Sequence, residues 1–149
     1  MSEFTFSFNG EWKGGRSGYG HICTKGLDQT VSIGAEMNGP GQGTNPDELL
    51  ISAVATCYMM TLGIALDKRR LPYEKIVITS KGTVTDDSGL HFKEIIHFPT
   101  AIIKKDTDKD IKEKILQAMA QAEKDCMIAK ALKGNVEISV KPQLKARED

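Results

Sequence analysis

The chain has 149 residues and a mass of 16.3 kDa, the size of one compact domain and too little for two. Its 20 Lys+Arg balance 20 Asp+Glu, which excludes the basic footprint by which proteins hold nucleic acid or an anionic membrane surface. Hydrophobic residues make up 40%, too many for a disordered chain, so a single domain over residues 1–149 with its own core is expected.

Phe4, Phe6 and Phe8 alternate with polar residues, the period-2 signature of a half-buried strand, and residues 21–25 and 29–35 read as further strands. Glycines 14, 15, 18 and 20 mark tight turns around Arg16. Residues 38–44 (NGPGQGT) form a Gly/Pro-rich loop whose spacing matches no phosphate-binding fingerprint.

Asn45-Pro46-Asp47-Glu48 is a strong helix start, with Asn as N-cap, Pro in the first turn and Glu48 completing a capping box. The helix runs on through an uncharged stretch from 49 to 66 before Asp67, Lys68, Arg69 and Arg70. A rise of ~27 Å reaches the membrane-span threshold. The soluble-type cap, interior Ser52, Thr56, Thr61 and Gly63, and the patterned strands on either side instead favour a helix buried on nearly every face. A chain this small covers such a helix poorly, so a second subunit is expected to cover part of it.

Residues 73–85 and 90–103, rich in Ile, Val, Thr and Phe, make a hairpin joined at Asp86-Asp87-Ser88-Gly89. Residues 106–125 carry Ile111, Ile115, Ala118 and Ala122 on one helical face. A short helix over 126–133 stops at Gly134, a last strand spans 136–140, and 145–149 read as a frayed tail. The order of elements gives an α+β domain: N-terminal strands, a long buried central helix, a second antiparallel sheet and C-terminal helices.

Three cysteines, Cys23, Cys57 and Cys126, have no C-x-x-C spacing and build neither a disulfide framework nor a zinc site. The N-terminus lacks the basic start and apolar run of a signal peptide, so a reducing cytoplasm is the expected compartment and any disulfide there is transient. Cys57, about three turns into the central helix, reads from its position as a small apolar packing residue whose thiolate gains little from the helix dipole. Cys126 opens a short helix, where free N–H groups favour a thiolate, although taken alone it reads as an inert thiol. Cys23 reads as structural. Tyr58, Met59 and Met60 either line an apolar pocket beside Cys57 or fill the core. His21, His91 and His97 show no metal or triad spacing. His91 and His97, six apart in one strand, read as solvated residues of a single face.

The ordered combination of Gly14-Gly15-Arg16, the run Gly43-Thr44-Asn45-Pro46-Asp47-Glu48-Leu49-Leu50 leading to Cys57, and Cys126 followed by Ala129-Lys130-Ala131-Leu132-Lys133-Gly134-Asn135 resembles the OsmC/Ohr family of osmotically inducible and organic hydroperoxide resistance proteins. The resemblance covers nearly the whole chain. It implies an OsmC-like fold, an intertwined homodimer with active sites at the subunit interface, and a thiol-dependent peroxidase of oxidative or osmotic stress defence. By that resemblance Cys57 is the peroxidatic and Cys126 the resolving cysteine, Arg16 contacts the reactive sulfur, and Asp47 stands where the family usually has a glutamate paired with that arginine. It also implies an apolar organic hydroperoxide substrate, a dithiol reductant such as a lipoylated protein, and neither cofactor nor metal. The rival readings are a noncatalytic dimer of the same fold that binds a small hydrophobic ligand, and a thiol-disulfide or acyl-transfer enzyme using Cys57.

Ten residues of straight helix put Asp47 ~15 Å along the axis from Cys57. Either the helix breaks between them or Arg16 bridges the gap. The plain alternatives are a first-turn carboxylate serving the helix dipole for Asp47, the arginine-pairing role for Glu48, and a solvated turn residue for Arg16. The chain departs from the family pattern at Asp47, at Tyr58 in place of Phe, and at Met127-Ile128-Ala129 in place of Pro-Val-Ser.

Overall fold

A computed structural model describes residues 1–148. The chain divides into two compact units, Met1–Leu49 and Leu50–Asp149.

The first unit is built on a three-stranded antiparallel meander of β1 (Asn9–Lys13), β2 (Tyr19–Cys23) and β3 (Asp28–Val31). A 3-10 turn follows at Ala35–Met37 and closes on Asn38 in the left-handed conformation. The glycine-rich loop folds back onto β3: Thr44 N–H donates to the Thr30 carbonyl (2.9 Å), and the buried Ser32 hydroxyl both donates to the Gln42 carbonyl (2.8 Å) and accepts from its N–H (2.7 Å). Gly43 is required here, since its φ is +70° and a Cβ would lie 2.0 Å from the Thr30 carbonyl oxygen. The loop is a packed turn.

Two expectations for this unit are corrected. The strand expected over Phe4–Phe8 is absent: residues 1–8 lie outside any strand and all three phenylalanines are exposed. Alternation supplies a pleat, but a strand also needs an edge to pair with. The strand expected over 29–35 ends at Val31, where the chain turns to begin the 3-10 segment.

Helix α1 (Pro46–Lys68) starts as expected, with the Asn45 side chain accepting from Glu48 N–H at 2.9 Å. Glu48 departs from the capping box, its carboxylate accepting from the Thr44 hydroxyl at 2.8 Å. At the other end, Leu71 N–H donates to Leu66 and Arg70 N–H to Asp67, a Schellman closure with Arg70 at φ 55° in the place usually given to glycine.

In the second unit, β4 (Lys75–Thr85) and β5 (His91–Ile103) form the expected antiparallel hairpin. Helices α2 (Lys109–Asp125) and α3 (Met127–Leu132) follow, then β6 (Glu137–Val140) and β7 (Gln143–Ala146). Both final strands run parallel to β5, along Glu94–His97 and Thr100–Ile103 in turn, so the sheet expected to be antiparallel is mixed. Pro142 has no N–H and interrupts this edge, yet pairing resumes at Gln143. Residues 145–146 of the expected tail are therefore ladder residues, while Asp149 lies outside the described residues.

Alternate residues of β5, from Ile95 to Ile103, are buried on one face, and Ala101 and Ile103 pack with Ile115, Ala118, Met119 and Ala122 of α2. Tyr58, Leu62 and Leu66 of α1 complete this cluster. The burial expected on nearly every face of α1 is reduced to one stripe, Val54-Tyr58-Leu62-Leu66, one residue per turn. By length and composition α1 could cross a membrane, but its buried stripe belongs to the core of the second unit. Met60 remains 65% and Ile64 58% exposed.

Candidate active site

The buried stripe sets the rotation of α1 and thereby aims Cys57. Tyr58, the next residue, is wholly buried, its hydroxyl donating to the Met119 carbonyl at 2.8 Å and its ring stacked on His97 with centroids 5.2 Å apart. Cys57 is half-buried and packs with Ile51, Phe92, Ile128, Leu132, Val136 and Ile138 around Val54, Ile95, Cys126 and Ala129. This second apolar cluster brings Cys57 and Cys126 together from different helices. Both are free thiols.

Cys126 is the hinge between two helices. Its N–H ends α2 by donating to Ala122, and its φ of −63° and ψ of 119° start α3 as an N-cap. The sulfur accepts from Ala129 N–H at 3.4 Å and the thiol donates toward the Val54 carbonyl at 3.9 Å. The residue is 1% exposed.

The two thiols are displaced in opposite directions. Burial pushes the Cys126 thiol up, and the N–H groups of Ala129 and Ile128 do not offset it. Burial also works against the Cys57 thiolate, but there the Ile128 N–H, the Cys126 thiol, the Thr61 hydroxyl and the Met127 N–H outweigh it, and the Cys57 thiol is lowered. This reverses the order read from helix position alone. The amides opening α3 serve the sulfur nearest in space as well as the one nearest in the chain.

Arg16 and Asp47 belong to the first unit. The Arg16 guanidinium donates to the Met37 carbonyl at 2.8 Å, and among the described residues no ion pair joins it to Asp47 or Glu48. Asp47 is half-buried in the first turn of α1, which runs unbroken from there past Cys57. Cys23 is exposed at the end of β2.

His97 corrects the reading of solvated strand histidines. It is buried, with its Nδ1 hydrogen-bonded to the Ser80 hydroxyl at 2.7 Å, and burial lowers its pKa. His91 is exposed and bonded to the Gly89 carbonyl. The register shift near Thr83/Val84 pairs Thr83 with Glu94 but Val84 with Phe92, so the extra residue Lys93 puts the two histidines on opposite faces. The pocket role weighed for Tyr58 is likewise corrected, since Tyr58 is core, and Met60 faces outward. Sequence reasoning missed Thr61 and the Met127 and Ile128 amides. Only Thr61 left a signal, four residues from Cys57 on one helical face. Among the described residues no group of His, Cys, Asp and Glu is arranged to hold a metal ion.

The profile of the OsmC family, described as OsmC-like protein, matches residues 39–141. The chain is 37% identical to the uncharacterized protein YmaD of Bacillus subtilis (strain 168) over 97% of both chains. It is 28% identical to the organic hydroperoxide resistance protein of Xanthomonas axonopodis pv. citri (strain 306), covering 85% of this chain and 87% of that one. The crystal structure of an organic hydroperoxide resistance protein OsmC from Legionella pneumophila superposes with a TM-score of 0.72 at 19% identity, covering 97% of this chain and 99% of that one, and shares the fold.

Proposed function

The chain belongs to the OsmC-like protein family, and from that premise we propose that it is a cysteine-based peroxidase reducing organic hydroperoxides to alcohols. One observation carries the reading: two cysteines from different helices share one apolar cluster, the more exposed of them with its thiol lowered and the buried one with its thiol raised. A peroxidatic sulfur must be ionised and reachable, whereas a resolving sulfur must stay reduced until it is needed.

In the proposed cycle the Cys57 thiolate attacks the distal oxygen of the hydroperoxide, the O–O bond breaks, and the alkoxide leaves as the alcohol after taking a proton. Cys57 is then a sulfenic acid. The Cys126 sulfur attacks it, water departs, and a Cys57–Cys126 disulfide forms. A dithiol, such as a lipoyl group on a partner protein, returns both thiols by exchange. A reducing cytoplasm would keep the pair in that state between turnovers.

Ionisation accounts for only part of the rate. A thiol of pKa ~8.5 is ~3% ionised at pH 7, so full ionisation gains at most about 30-fold. The remainder comes from orienting the peroxide and stabilising the departing alkoxide. Arg16, always charged and with five donors, suits that task, and its guanidinium is held by the Met37 carbonyl, with Asp47 as a further partner only on reorientation of the side chain. The homodimer is part of this reading. Its support is the apolar surface of α1 around Met60 and Ile64 and the exposed Phe4, Phe6 and Phe8, more than a chain with neutral overall charge would leave to water.

The test is steady-state consumption of cumene hydroperoxide with dihydrolipoamide as reductant. Turnover is expected for the wild type, none above background for Cys57→Ser, and a loss of about 100-fold or more for Arg16→Ala. Wild-type consumption equal to the uncatalysed rate would refute the proposal.

A further inference from the structure

The contacts of Cys57 include one side chain whose placement packing does not explain. A threonine inside a helix ordinarily satisfies its hydroxyl on the carbonyl four residues earlier, which for Thr61 is the Cys57 carbonyl. Its Oγ1 instead lies 3.9 Å from the Cys57 sulfur, on the same face of α1 one turn on. We propose that Thr61 is a catalytic hydrogen-bond donor to Cys57, holding the ionised sulfur and aiming it for attack.

The chemistry follows from the proton count. Between a thiol and a hydroxyl either group can donate, so the contact favours neither state strongly. A thiolate has no proton, and Thr61 must then be the donor, to a charged acceptor. The contact therefore stabilises the ionised form more than the neutral one. Both groups sit on one rigid helix, so the donor is in place before reaction and no loop has to close. The other groups that bear on the Cys57 sulfur are the Cys126 thiol, which is titratable, and the Ile128 and Met127 amides, which are not. Removing the Thr61 hydroxyl thus removes the hydroxyl in contact with the sulfur.

The inference rests on Cys57 being the attacking residue, but its test needs no peroxide. The rate of iodoacetamide alkylation at Cys57 is followed by peptide mass mapping across pH for the full-length wild type, Thr61→Val and Thr61→Ser. Thr61→Val is expected to move the midpoint up by about half to one pH unit and to slow alkylation below the midpoint about threefold to tenfold. Thr61→Ser, which keeps the hydroxyl, is expected to restore the wild-type profile. Thr61→Ala repeats the deletion without branched methyls if valine perturbs the helix, with circular dichroism melts recorded for each variant. A deletion profile superimposable on the wild type, or a serine variant that behaves like valine, would overturn the assignment. Peroxide consumption measured in parallel separates the two ideas: its absence counts against the peroxidase reading and leaves the alkylation result standing.

Discussion

Cys57 and Cys126 pack in one apolar cluster, and the interaction between their thiols displaces the two in opposite directions. It favours the Cys57 thiolate and keeps Cys126 protonated, on top of the burial that already raises Cys126. N-ethylmaleimide at pH 7, read by peptide mapping, is therefore expected to label Cys57 at least about tenfold faster than Cys126. Equal rates would contradict the assignment of roles.

The amide of Met127 is a second donor whose removal is structurally mild. Met127 is the first residue of α3, where proline is well tolerated, and Cys126 before it already has the extended ψ of 119° that a following proline requires. Met127→Pro is expected to keep the melting temperature within a few degrees while slowing Cys57 alkylation at pH 6 about twofold to fivefold. A melting temperature that collapses, or an unchanged rate, would count against the amide's role.

His97 makes stability depend on acid. Its folded pKa is depressed by burial below the unfolded value of about 6.5. Above pH ~6.5 the residue is neutral in both states and contributes no slope. As pH falls below that value the unfolded chain takes up the proton first, and stability is lost at up to ~1.4 kcal/mol per pH unit until the folded pKa is reached. Urea unfolding between pH 7 and 5 reads this directly, and His97→Phe, which cannot titrate, is expected to flatten the slope relative to wild type.

The exposed face of α1 gives the oligomer a test. Light scattering on the wild type is expected to give twice the 16.3 kDa chain mass. The double variant Met60→Lys/Ile64→Lys, at sites already 65% and 58% exposed in one chain, is expected to give the single-chain mass with helical content retained. A wild type that runs as a single chain would remove the homodimer from the account.

Local chemistry was legible in the sequence and spatial neighbourhood was not. The Asn45 cap, the 86–89 turn and the apolar face of α2 depend on residues within a few positions of one another, and each stands as read. Phe4, Phe6 and Phe8 carry a strand pattern without a strand, because alternation cannot name the edge it pairs with. His97 was misplaced because one extra residue at Lys93 inverts the alternation after it. At the site, the cysteines were legible as a pair through their family resemblance. The direction of each thiol depended on how deeply each sulfur is buried and on the opening amides of α3 reaching Cys57 as well as Cys126, and that is a property of the packed helices.

The central claim is that Cys57 and Cys126 are the two halves of one redox reaction. Its most direct test is anaerobic protein mixed with one equivalent of cumene hydroperoxide, followed by intact mass and peptide mapping. The account expects the wild type to lose two hydrogens as a Cys57–Cys126 disulfide, and Cys126→Ala to gain one oxygen on Cys57 that dimedone traps. Unchanged masses in both proteins, or oxidation confined to Cys23 or the methionines, would contradict it.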